Sequence, residues 1–80
     1  MSKERKSLLL RDSVQQSLTE YFAHLEGSQP ERLYDLVIQE VERPLLEITL
    51  QQVQNNQSLA ATILGISRGT LRKKIKKYKI

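Results

Sequence analysis

The residues best placed to do chemistry in this 80-residue chain run from Gln57 to Tyr78, in the order Q-S-L-A-A-T-I-L-G-I-S-R-G-T-L-R-K-K-I-K-K-Y. Arg68, Arg72, Lys73, Lys74, Lys76, Lys77 and Lys79 follow one another with no carboxylate among them. Cations at this density neutralise phosphates and release the counterions condensed on a nucleic acid. A run of charge more often marks a solvated tail. Here Leu71 and Ile75 recur four apart inside the run, which gives it a packing face and predicts a helix from Arg68 to about Lys77. Ser67 can cap that helix by accepting a backbone N–H bond. A shorter helix precedes it, Gln57 to Leu64, with Asn56 as its N-cap. Ala60 and Ala61 are small enough for close helix contact, Gly65 supplies the turn and Ile66 plugs the gap. The spacing is that of a helix-turn-helix.

Charge separates this segment from what holds it. All nine acidic residues precede residue 48, and with six basic residues there the front of the chain carries −3; the seven cations of 68–79 give the back +7. At 39% apolar and 28% charged, the composition is that of one small soluble domain. A chain this short buries a modest core, so association would help it. Cysteine is absent, which excludes disulfides and thiolate metal sites and suits a reducing compartment. Leu8-Leu9-Leu10 is too short for a signal-peptide core or a membrane span.

Two further helices must position the basic segment. The first is expected from about Leu10 to Leu25, where Val14, Leu18, Tyr21, Phe22 and Leu25 share one apolar face, with Gly27 ending it. Ser28-Gln29-Pro30-Glu31 matches an S-x-x-E capping box, so the second is expected from about Gln29 to Val53, closed by Asn55-Asn56. Its apolar residues, from Leu33 to Val53, cover most of the circumference. A monomer of this length cannot wrap such a helix, and a dimer through the first two helices explains it better than a few surface leucines. Pro44 removes one N–H and predicts a kink rather than an end, because the apolar pattern continues past it. Four helices and no strand make the chain all-α.

Catalysis has almost no foothold. His24 is the single histidine, on the polar side of the first helix. Glu40, Glu42 and Glu47 read as a solvated helix face, and Gly27, Gly65 and Gly69 are isolated rather than parts of a phosphate loop. Tyr21, Phe22, Tyr34 and Tyr78 read as packing residues, not as a base-stacking platform for single strands. No enzyme activity, cofactor, metal or small-molecule substrate is expected.

Three stretches carry a resemblance: R-D-S-V-Q-Q-S-L-T-E-Y-F-A-H-L at Arg11–Leu25, L-Y-D-L-V-I-Q-E-V-E-R-P-L-L at Leu33–Leu46, and R-G-T-L-R-K-K-I-K-K-Y at Arg68–Tyr78. Over roughly residues 10–79 the chain resembles the Fis family of bacterial nucleoid-associated factors for inversion stimulation. The DNA-anchoring dimer modules of enhancer-binding transcriptional activators resemble the same helix-turn-helix and stand as the alternative. A basic amphipathic segment for a membrane surface would not need Gly65-Ile66-Ser67.

The Fis resemblance implies an organisation: a short flexible N-terminus over 1–9, dimerisation helices over 10–54 forming an intertwined homodimer core, and a helix-turn-helix DNA-binding unit over 55–80. It implies two recognition helices on one face, set closer than a turn of straight DNA, so that binding bends the duplex and favours an A/T-rich centre. Arg68 matches the family's guanine-reading Arg, able to donate to O6 and N7 in the major groove. Thr70, Arg72, Lys73 and Lys74 match positions that contact bases or phosphates. Asn56 and Gln57 match phosphate-contacting positions, and Ser58, Ser67, Lys76 and Lys77 complete the expected surface. Double-stranded DNA and a second copy are the expected partners, with RNA polymerase a further candidate and the bacterial nucleoid, in the cytoplasm, the expected location. Transcriptional regulation is the expected role.

The chain also departs from the family. Ser67 stands where Asn is common; it still caps, with a shorter reach toward a base. Leu59 replaces an Arg and removes one cation near flanking DNA, and Ser58 replaces a Thr. The long β-hairpin arm that touches DNA invertases in well-known members has no counterpart in Met1–Leu9. Binding and bending are therefore expected without support for site-specific inversion.

Overall fold

The computed structural model describes residues 3–80, with side chains from Leu9 onward. It holds four helices, α1 Lys3–Ala23, α2 Leu33–Gln52, α3 Gln57–Leu64 and α4 Arg68–Tyr78. There is no strand among the described residues. The all-α expectation with a C-terminal helix-turn-helix holds. Packing divides the chain between Glu31 and Arg32 rather than between α2 and α3.

In the first unit, α1 begins at Lys3, well before the expected Leu10. The apolar stripe starts late, but Lys, Glu, Arg and Leu are good helix formers and neither Gly nor Pro interrupts them. The helix ends at Ala23, and the chain leaves through Glu26 at φ 51 and Gly27 at φ 85. Gly27 takes that left-handed conformation without a Cβ penalty, but it lies four residues past the helix end and does not close the helix as expected. Val14, Leu18, Tyr21 and Leu25 are half-buried, and no described side chain of this unit is fully buried. A lone helix has nothing to close over its stripe.

The second unit has a core. Its helix α2 starts at Leu33, four residues later than expected, and the Ser28–Glu31 capping box is not used. Proline disfavours helical backbone at the residue before it, and Gln29 lies outside the helix. Arg32 caps instead, in the left-handed region at φ 53 and with no side-chain cap bond to the backbone. Its guanidinium holds Asp35 at 2.8 Å across the first turn. The helix then passes through Pro44 unbroken to Gln52.

The apolar surface of α2 separates into two faces. Leu46, Leu50 and Val53 are buried against Ala60, Ala61, Leu71 and Tyr78, with Leu64, Ile66 and Ile75 packed around them. Tyr34, Ile38, Val41, Leu45 and Ile48 are all exposed. They follow one another at alternating steps of four and three, the spacing of a helix-pairing seam. At 100° per residue this seam lies about a third of a turn from the buried face. The wide apolar coverage read from the sequence is thus one face for α3 and α4 and another that stays exposed.

Candidate nucleic-acid interface

Short-range bonds build the basic surface. After α2 the chain turns through Gln54 and Asn55, both left-handed, and the Asn55 N–H bonds the Leu50 carbonyl at 2.8 Å. Asn56 then caps α3: its Oδ1 accepts the Leu59 N–H at 3.1 Å. Gly65 ends α3 at φ 76, its N–H on the Ala61 carbonyl at 2.9 Å. Ser67 caps α4 by accepting the Thr70 N–H at 3.1 Å, while its own hydroxyl donates to Thr70 Oγ1. Ala60 and Leu71 are fully buried where the two helices meet. The small alanine lets α4 seat close to α3, and Leu71 fixes its rotation.

That rotation decides which cations face out. Leu71, Ile75 and Tyr78 turn toward α2 and α3, so Arg68, Gly69, Arg72, Lys73, Lys76 and Lys77 are exposed. Gln57 and Arg72, fifteen residues apart, are brought together, with Arg72 Nε donating to Gln57 Oε1 at 3.4 Å. This bond ties the start of α3 to the middle of α4. Asn56, Ser58 and Thr70 are exposed beside this surface, and Gln57 is half-buried. Lys77 lies 5.3 Å from the Tyr78 ring centroid, within cation–π range.

Lys74 is placed differently. Its ammonium donates to Glu42 Oε2 at 2.7 Å, and the Tyr78 hydroxyl donates to Glu42 Oε1 at 2.6 Å. Glu42 and Lys74 keep 21% and 29% of their side-chain surface exposed, so the pair is shielded more than an ordinary surface ion pair. Glu42, expected on a solvated face, is instead a clamp from α2 onto α4. Its reach was hidden in the sequence because the partners lie 32 and 36 residues away. Only their chemistry hinted at it: an acid on the helix carrying the core leucines, and a Lys and Tyr four apart on α4.

The clamp shifts two titrations. Hydrogen bonds from Lys74 and then Tyr78 hold the Glu42 carboxyl below its ordinary value of 4.5. The bond to Glu42, helped by burial, pushes the Tyr78 hydroxyl up to about 12. A depressed carboxyl stabilises the fold above its unfolded pKa, and that stabilisation is lost as pH falls through the lower folded value. The raised phenol stabilises below its ordinary value of 10.0 and ceases to do so as pH climbs toward about 12. Thermal unfolding of the wild type and Glu42→Gln should therefore show a constant gap in midpoint near neutrality. The gap should narrow as pH falls below about 4.5. A gap that stayed constant to low pH would contradict the clamp.

Among the described residues no helix is long and apolar enough to cross a membrane. His24 lies exposed, with Nδ1 2.7 Å from the Glu20 carbonyl, a local bond within its own unit.

Comparison with known proteins covers most of the chain. The model of the "Bacterial regulatory protein, Fis family" matches residues 37–78, which takes in the clamp and the entire helix-turn-helix. The model of the "DNA-binding protein Fis N-terminal domain" matches residues 2–30. A protein of Psychromonas ingrahamii named DNA-binding protein Fis is 59% identical over 69 residues, covering 86% of this chain and 70% of its own length. The N-terminal match favours Fis itself over the activator modules, whose likeness lies in the helix-turn-helix. With both ends matched and the basic helix held outward by its caps and core, the chain belongs to the Fis family.

Proposed function

We propose that this chain acts as a homodimeric DNA-binding and DNA-bending regulator of transcription on the bacterial nucleoid. DNA binding and regulation go with the family to which the chain belongs. The observation that carries the reading onto these residues is the outward face of α4, with Arg68, Arg72, Lys73, Lys76 and Lys77 exposed on a helix fixed by its core. The last carboxylate before it is Glu47, so no acid on α3 or α4 opposes a phosphate. Arg68 at the first turn is the base-reading group, and Thr70 lies beside it. Arg72, Lys73, Lys76 and Lys77 contact phosphates along the groove, with Asn56, Gln57 and Ser58 at the start of α3. Lys74 contributes through Glu42, by holding α4 in place. The chain performs no catalysis on this reading.

The exposed seam of α2 supports the homodimer, since contiguous apolar patches on a soluble monomer are usually covered by a partner. Two copies present two α4 helices, and the family likeness supports a bent duplex between them. RNA polymerase remains a candidate partner on the same likeness. Paired substitutions test the assignment of roles. Arg68→Ala should weaken the preferred site by about 1–3 kcal/mol and flatten preference at the outer guanines. Lys73→Ala should weaken all duplexes alike and lower the salt slope by about one. Titrations across salt concentrations read both, and an unchanged sequence ranking for Arg68→Ala would remove that residue from base reading.

A further inference from the structure

Gly69 is the second residue of α4 and shares its outward face with Lys73 and Lys76, four and seven positions on. Nothing inside the protein requires a glycine there. Its φ is not in the left-handed region, unlike those of Gly27 and Gly65. A Cβ added to it would meet only Ser67 Oγ, at an unhindered 4.0 Å. Glycine is a poorer helix residue than alanine because it loses more backbone freedom on ordering. The fold therefore carries a weaker helix former at the head of its cationic face, between the base-reading Arg68 and Thr70, with no gain in packing.

We infer that Gly69 is a clearance position, whose missing side chain sets how closely α4 seats against the major-groove edge of a DNA duplex. The inference rests on the DNA-binding reading above and adds a residue whose contribution is the absence of atoms. A side chain here would stand the helix off the groove floor. Base hydrogen bonds tolerate little standoff, since they require donor–acceptor distances of about 2.7–3.2 Å. Attraction between Lys and phosphate falls far more slowly, over a Debye length of about 8 Å at physiological salt. Extra bulk at Gly69 should thus damage sequence reading and leave general attraction nearly intact.

The test uses the full chain with Gly69→Ala and Gly69→Leu, both of which keep or improve helix propensity. The probes are a duplex selected from random sequence by the wild type and an unrelated duplex of equal length. Gly69→Ala should lose about tenfold on the selected duplex, the scale of one lost base contact, and Gly69→Leu more. Binding to the unrelated duplex and the salt slope should stay near wild type, with a thermal midpoint equal or higher. Wild-type affinity of both variants for the selected duplex would overturn the inference. So would an equal loss on both duplexes accompanied by a lowered midpoint, which is what a structural glycine would give. Failure of the wild type itself to bind any duplex would instead strike the DNA-binding reading, so the two failures are distinguishable.

Discussion

Val41→Glu combined with Leu45→Glu is expected to leave the chain monomeric and to reduce DNA affinity by about 10²–10⁴-fold. That is the range by which linking two binding modules raises avidity. Val41 and Leu45 sit at the centre of the exposed seam and are 43% and 50% accessible in the single chain. Neither belongs to the cluster that holds α3 and α4 on α2. The charges would therefore be placed between two copies of the seam, where burying an unpaired carboxylate is strongly unfavourable. Each α4 would keep its own cations but lose its tethered mate. Sedimentation of the variant reads the association, and duplex titration reads the affinity. Should the double variant fail to fold, Val41→Glu alone should still show concentration-dependent dissociation in a range where the wild type shows none. A variant that stayed dimeric with wild-type affinity would rule out this seam as the interface.

Leu71→Ala is expected to destabilise the second unit by about 2–5 kcal/mol, the usual result of truncating a buried leucine. Marginal stability of about 0.05–0.15 kcal/mol per residue gives a chain of this size only a few such units in total. Leu71 is fully buried, and its side chain fixes which face of α4 points outward. The loss should therefore appear in binding as well as in unfolding, although Leu71 touches no DNA on this account. Ile63 on α3 provides the contrast, being 59% exposed. Ile63→Ala should move stability by no more than about 0.5 kcal/mol, as surface changes usually do. Urea unfolding of the two variants measures the difference. Comparable losses at both positions would mean that Ile63 is covered by something outside the single chain, such as a second copy.

Much of the helix-turn-helix was legible because its signals are local. Asn56 and Ser67 each cap across three residues, and Gly65 must occupy a left-handed turn. Ala60, Ala61, Leu71 and Ile75 fall at helical spacing on the faces that meet. What was not legible depended on competing or distant forces. The Ser28–Glu31 pattern satisfied a capping rule, but Pro30 biased the preceding residue away from helix and the start moved to Leu33. The all-round apolarity of α2 indicated burial on several sides without saying which side met α3 and α4. Lys74 looked like its neighbours in the basic run, and only the fold brings it to Glu42. The first helix was read only in part: Val14, Leu18 and Tyr21 are half-buried on it, but Phe22 is exposed, Leu25 lies past its end at Ala23, and good helix formers carried its start back to Lys3.

Whether the two α4 faces of a dimer bind and bend duplex DNA can be read from a gel-mobility titration. The duplexes should be circularly permuted and carry an A/T-rich centre flanked by guanine and cytosine. Tight binding at moderate salt is expected, with mobility of the complex depending on where the site lies in the duplex. Absence of binding under those conditions would contradict the DNA-binding reading.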